Sequence, residues 1–196
     1  MKESAIVPYM NKFVTLADDE AAEVEASFEH ILVKKRQLIV QPFFTVSHRY
    51  YVLSGAFRSY VIDESGQEHT ISLAIDDWWI TDYNSYIFQR PATLYVVALE
   101  NSAVLRLSYT KEKELKEKNH KYETFFRIIA ERGLAYHQRR LISNLTETAE
   151  ERYRNFTDKY SMIVQRVPQY AVASFLGMTT EYFSKLRKRQ FMKKHG

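Results

Sequence analysis

The densest set of polar side chains with usable spacing in this 196-residue chain lies between Gln169 and Arg189. On a helix beginning near Thr179, the residues Thr179, Thr180, Glu181, Ser184, Lys185 and Lys188 share one outward face. A glutamate on such a face can accept from cytosine N4, and a lysine can donate to guanine O6 and N7. Hydroxyls, with Gln169 and Arg189 at the flanks, can hold phosphate oxygens. Behind that face fall Val172, Ala173, Leu176, Phe183 and Leu186. Ala173 is small enough for a second helix to approach, Gly177 supplies the positive φ that a tight crossing demands, and Met178 plugs the turn. Val167 to Arg189 therefore reads as a helix-turn-helix, with Pro168 setting the start of its first helix.

An ordinary helical hairpin shares part of this pattern, and charge separates the two readings. From Thr148 to Gly196 there are 10 Lys/Arg against 4 Asp/Glu, leaving 18 against 20 for the rest of the chain. The net charge of +4 is thus concentrated beside the motif, as an electrostatic footprint for a polyanion would be.

Other chemistries find no support. With no Cys, thiolate zinc sites, disulfides and cysteine nucleophiles are excluded. The glycines form no phosphate-cradling loop and no Gly-x-Ser-x-Gly elbow, and the histidines lack metal-ligand spacing. An enzyme is not expected, nor is a metal or a resident cofactor. Met1 to Met10 has no signal-peptide core, and Leu94 to Leu99 is far too short to span a bilayer. A cytoplasmic protein without membrane contact is expected.

The elements that must carry the motif can be read outward from it. Thr148 and Glu151 have the spacing of a capping box, so a helix should begin there. Upstream, Thr110 opens Lys/Glu-rich helical sequence ending close to Leu145. Along it Tyr122, Phe126, Ile129, Gly133 and Tyr136 step by four, three, four and three, keeping one face aligned. That face is expected to form the seam of a two-fold homodimer; packing on the barrel of the same chain is the alternative. Before it, short β-rich runs at Leu38–Val46, Tyr50–Leu53, Ala56–Ile62, His69–Ile75, Thr93–Leu99 and Ala103–Leu107 suggest a sandwich or small barrel. Asp18 to Phe28 reads as a short N-terminal helix.

This order of parts resembles the Crp/Fnr family of bacterial transcription regulators across nearly the whole chain. The likeness rests on Tyr51-Val52-Leu53-Ser54-Gly55-Ala56-Phe57-Arg58-Ser59-Tyr60 with Gly66-Gln67-Glu68, on Ala98-Leu99-Glu100-Asn101-Ser102, and on Val167-Pro168-Gln169 through Gly177 to Ser184-Lys185-Leu186-Arg187. The resemblance implies an α+β protein: a jelly-roll, cyclic-nucleotide-binding-like sensor (residues 1–109), a dimerisation helix (110–146) and a helix-turn-helix domain (147–196). It also implies a homodimer that reads palindromic double-stranded DNA and contacts RNA polymerase. In the family, Glu181 and Lys185 fall where base-contacting residues lie. Thr180 stands where cyclic-AMP-dependent members often carry Arg, so a different site preference is expected.

The sensor departs from the family pattern. Members that bind cyclic AMP present a Gly-Glu pair and an Arg-Ser/Thr-Ala run, giving the ribose a carboxylate and the phosphate a guanidinium with backbone donors. Here Asp76-Asp77-Trp78-Trp79-Ile80-Thr81-Asp82 leads into Arg90-Pro91-Ala92-Thr93, and no response to cyclic AMP is expected. A pocket for an unidentified small molecule would draw on Arg58, Trp78, Trp79, Tyr83, Arg90 and Thr93, with Tyr86 nearby, although such aromatics commonly serve as plain core. The β wing that usually follows the recognition helix is also not expected, so backbone anchoring would rest on Lys188, Arg189, Lys193 and Lys194. The competing function is a small-molecule or nucleotide-sensing module that acts through protein contact.

Overall fold

The computed structural model describes residues 5–195, and the side chains of residues 191 and 193–195, Lys193 and Lys194 among them, lie outside the described set. Two short helices, α1 (Ile6–Met10) and α2 (Asp18–Ser27), precede the strands β1 (Glu29–Val33), β2 (Leu38–Val40), β3 (His48–Ser54), β4 (Phe57–Ile62), β5 (Glu68–Ala74) and β6 (Trp79–Ile80). Helix α3 (Tyr83–Phe88) is followed by β7 (Tyr95–Ala98) and β8 (Ser102–Ser108). The remainder is helical: α4 (Tyr109–Lys118), α5 (His120–Thr146), α6 (Ala149–Lys159), α7 (Ser161–Arg166), α8 (Gln169–Phe175) and α9 (Thr180–His195).

The strands form two four-stranded sheets, β1-β8-β3-β6 and β2-β7-β4-β5, with every pairing antiparallel. Alternation along β3 explains how they enclose a core. Tyr50 and Val52 point into the barrel with Val33, Phe57, Val96 and Val104, while Tyr51 points outward to α1, α2, α4 and α5. At Gly55, with φ of 125°, any Cβ would lie 2.0 Å from Ser102 Oγ, so only glycine lets β3 turn into β4 against β8.

The main strands fall where the sequence predicts them, and the structure corrects several details. Only Leu38–Val40 of the expected Leu38–Val46 run is strand. Strands β1 and β6 and helices α1, α3 and α7 were not expected. The helical stretch 110–146 is two helices, because Asn119 is extended (φ −146°, ψ 125°) and its side chain caps the Lys121 amide. The capping box is present as read, Thr148 Oγ1 accepting from Glu151 N while the Glu151 carboxylate accepts from Thr148 N.

Candidate nucleic-acid interface

Helices α8 and α9 cross through small and apolar contacts, as their spacing demands. Val172, Ala173, Leu176, Phe183 and Leu186 are all buried, and Met178 is half-buried. Gly177 has φ of 68°, and the Met178 amide donates to Ala173 O, which ends α8 in a left-handed cap. Thr179 then starts α9, its hydroxyl accepting from the Tyr182 amide. Tyr153 of α6 lies edge-on to Phe183 at 5.2 Å and supports the pair from behind.

With Phe183 and Leu186 anchored inward, the opposite side of α9 faces solvent. Thr179, Thr180, Glu181, Lys185 and Lys188 are exposed, and Tyr182 shares that exposure. Ser184 is half-buried and donates to the Gln169 side chain at 3.1 Å, which links the start of α8 to the middle of α9. Arg189 turns back to Glu150 of α6 at 3.2 Å and so stands apart from the other cations. Among the described residues no strand follows α9.

The helix pair is docked on the barrel. Strand β5 is the edge of its sheet, and its free backbone groups are met by side chains from the helical region. Ser174 Oγ accepts from Thr70 N at 2.9 Å, and Arg140 of α5 donates to Ile71 O, Thr70 O and Phe175 O. Arg166 of α7 reaches both Asp76 and Glu100, at the ends of two barrel turns. Ala56, Leu73, Ile75 and Leu99 of the barrel join the helix-turn-helix core in one apolar cluster.

The expected effector residues do not converge on one pocket. Arg58 is buried on the outer face of β4, donating to Thr70 Oγ1 and Glu68 and stacking over Tyr170 of α8, so it belongs to the domain joint. Trp78 packs edge-on against Tyr136 and Tyr160. Arg90 lies over Phe88 at the surface. Thr93 instead donates its amide to Asp82, whose carboxylate also takes the Ser85 and Leu94 amides. Only Trp79 and Tyr83 border a common cavity, of about 390 Å³, with Arg49, Ile80, Gly133, Leu134 and His137 among its walls. Arg49 gave no sequence signal, because its partner Glu112 lies 63 residues away.

The expected seam is corrected in the same way. Tyr122 and Phe126 are buried against the outer face of the barrel, with Ile129 packed beside them. Tyr136 packs on Trp78, and its hydroxyl pKa is pushed up to about 12, chiefly by burial. Packing on the same chain, the alternative reading, accounts for these positions. The large apolar residues that α5 leaves to solvent are Leu134, Leu141, Ile142 and Leu145, exposed by 52–76%.

No family model and no curated protein matches the sequence. Solved structures do match, several transcription regulators among them. FixK2 from Bradyrhizobium japonicum superposes with a TM-score of 0.73 at 15% identity, over 85% of this chain and 86% of that one. The c-di-GMP-responsive global regulator CLP of Xanthomonas campestris gives 0.71 at 13%, over 89% and 93%. A putative transcriptional regulator of the Crp/Fnr family from Eubacterium rectale gives 0.68 at 13%, over 91% and 85%. The chain has the fold of the Crp/Fnr regulators: a cyclic-nucleotide-binding-like barrel, a long helix and a helix-turn-helix.

Proposed function

We propose that this chain is a sequence-specific DNA-binding transcription regulator of the Crp/Fnr type, with α9 as the helix that enters the major groove. The observation that carries the reading is the exposed face of Thr180, Glu181, Lys185 and Lys188 on a helix whose other side is clamped by buried Phe183 and Leu186. Glu181 and Lys185 are assigned to base edges and Lys188 to a phosphate. Gln169 and Ser184 brace the face through their mutual hydrogen bond. Arg189 would reach DNA only on leaving Glu150.

The protein acts as a homodimer through α5. The exposed positions Ala130, Leu134, His137, Leu141 and Leu145 step by four, three, four and four, an apolar-rich stripe along one helix face. Two α9 helices brought together by this seam would read a palindrome, and contact with RNA polymerase follows from the same resemblance. The sensor does not answer to cyclic AMP. A bound phosphate needs free donors, and the Ser85, Thr93 and Leu94 amides already serve the buried Asp82 carboxylate. Binding to duplex DNA measured across a salt series tests the reading: affinity should fall steeply as salt rises, in proportion to the number of phosphates neutralised. A folded dimer with salt-insensitive or absent DNA binding would favour the protein-contact module instead.

A further inference from the structure

The end of the barrel away from the helix-turn-helix exposes an aromatic surface that DNA reading leaves unused. Phe43 and Phe44, in the loop after β2, and Ile87 and Phe88, at the end of α3, are exposed by 44–87%. Backbone pairing brings the two segments together. The Phe43 amide donates to Ala92 O at 3.2 Å, the Ala92 amide donates to Phe44 O at 2.9 Å, and Thr45 bridges to Pro91. Strand β7 leads from this surface to Leu99, which joins the apolar cluster of α8 and α9, and β2 is the opposite edge of the sheet from β5. The surface therefore stays open while α8 rests on β5.

Backbone and composition both single it out. Phe43, with φ of 74°, and Gln89, with φ of 50°, hold left-handed backbone without being glycine. Strain of this kind at Phe43 is not offset by burial of its ring, since Phe43 is the most exposed of the four. The frame beneath is tied down, Gln89 Nε2 donating to Tyr86 O at 2.7 Å and the Val46 amide donating to Ser85 Oγ at 2.9 Å. Residues 41–47 and 87–93 contain a single charged side chain, Arg90, in a chain where 27% of residues are charged. Aromatic residues and arginine without lysine, aspartate or glutamate are the composition of an interface core.

We propose that this surface docks a partner protein through a segment that carries a large apolar side chain beside an Asp or Glu. The apolar side chain sits among Phe43, Phe44 and Phe88, and the carboxylate pairs with Arg90. Arg90 lies over Phe88 at 5.9 Å, so one short segment meets both. Charge selects this occupant over others. A second copy of the same surface would bring another Arg90 and no acid, leaving both cations unanswered. An anionic bilayer is held by clusters of basic side chains, and here there is one. A preformed, rigid surface lowers the ordering cost of binding a protein, whereas a fluid bilayer gains little from fixed shape. The docking surface stands whether or not the chain reads DNA.

The test is selection from random linear peptides displayed on phage by the full chain, with counter-selection on the Phe44→Ser/Phe88→Ser double variant. Enriched peptides should share an aromatic or leucine residue next to Asp or Glu. A synthetic copy, titrated by fluorescence anisotropy, should bind Phe88→Ser and Phe43→Gly about tenfold or more weakly than the parent. Glycine adopts the backbone of position 43 freely, so Phe43→Gly should melt no lower than the parent, which separates lost docking from lost folding. Arg90→Gln should abolish the preference for the acidic peptide over its Asn or Gln counterpart. Failure to enrich any peptide, enriched peptides without an acid, or undiminished binding by Phe43→Gly and Phe88→Ser would each overturn the proposal. So would co-sedimentation of the parent, but not of Phe44→Ser/Phe88→Ser, with phosphatidylcholine/phosphatidylglycerol vesicles, which would assign the surface to lipid. A fall in sedimenting mass on Phe88→Ser would assign it to a second copy and overturn the proposal equally.

Discussion

The Ser174 hydroxyl of α8 accepts the Thr70 amide of β5 at 2.9 Å and donates to Glu68 O, so the helix-turn-helix closes the open edge of the barrel sheet. A helix side chain here stands where a neighbouring strand would otherwise pair. Barrel and helix-turn-helix are thereby joined through backbone groups of the barrel itself. Ser174→Ala leaves the Thr70 amide without its acceptor and should cost about 1–3 kcal/mol in urea unfolding. Faster hydrogen exchange at Thr70 should accompany the loss, and unchanged exchange there would show that this hydrogen bond does not hold the joint.

The joint also contains an ion triad, with Arg166 between Asp76 and Glu100. Arg166 is 26% exposed on its side chain, so solvent screens the pairs and the gain is modest. A double-mutant cycle of Arg166→Ala with Asp76→Asn should return a coupling of about 0.5–1 kcal/mol. Coupling near zero would leave the docking to Ser174, Arg140 and the shared apolar cluster.

At the other end of the barrel, Glu20 of α2 has its pKa lowered to about 2, first by the Lys121 hydrogen bond and then by the Ala17 amide. A carboxylate held below its unfolded value stabilises the fold fully above that value, about 4.3, and loses the contribution as pH falls toward the folded one. The parent protein should therefore melt above Glu20→Gln at pH about 6. The gap should close progressively as pH drops below about 4.3. A gap independent of pH across this range would remove the charge from the explanation.

Leu141 of α5 is 60% exposed and has no large role in the core of its own chain. Leu141→Glu should leave circular dichroism and the fold intact while shifting sedimentation from dimer to monomer, because it buries a charge only in the dimer. A dimer that persists through both Leu141→Glu and Leu134→Glu would place the seam elsewhere.

How much of this was legible in the sequence depends on how local each signal is. Val172, Ala173, Leu176, Phe183 and Leu186 could be assigned inward because a turn glycine fixes the phase of both helices, and Thr148 with Glu151 marks a start within one turn. The barrel runs were visible through β-branched and aromatic alternation. By contrast, the periodic Tyr122, Phe126 and Ile129 announce a buried face without saying what buries it, and the answer is the barrel, set by contacts distant in sequence. Asn119 was a readable capping residue inside a charged helical run, and its signal was outweighed by that run. Asp82 was readable as a helix cap too, but its second carboxylate oxygen reaches Thr93 and Leu94 across a loop, which no spacing rule encodes. The separation of Arg58 and Trp78 from Trp79 and Tyr83 follows from strand faces and sheet membership, which alternation gives only once the register is known.

At the recognition helix, Glu181→Ala should relax the preference at one base pair in each half-site, costing about 1–3 kcal/mol of discrimination while leaving nonspecific affinity little changed. Lys188→Ala should weaken binding to all sequences alike and lower the salt slope by about 1 for each phosphate no longer neutralised. Interchange of these two outcomes would reverse the assignment of base-reading and phosphate-holding positions.

The most direct measurement is selection of binding sites from random duplex DNA by the full chain, followed by the salt dependence of the winning site. An enriched inverted repeat, with half-sites about one helical turn apart and affinity that falls steeply with salt, is the expected result. Selection that enriches no sequence from a folded, dimeric protein would contradict the assignment of α9 as a DNA-reading helix.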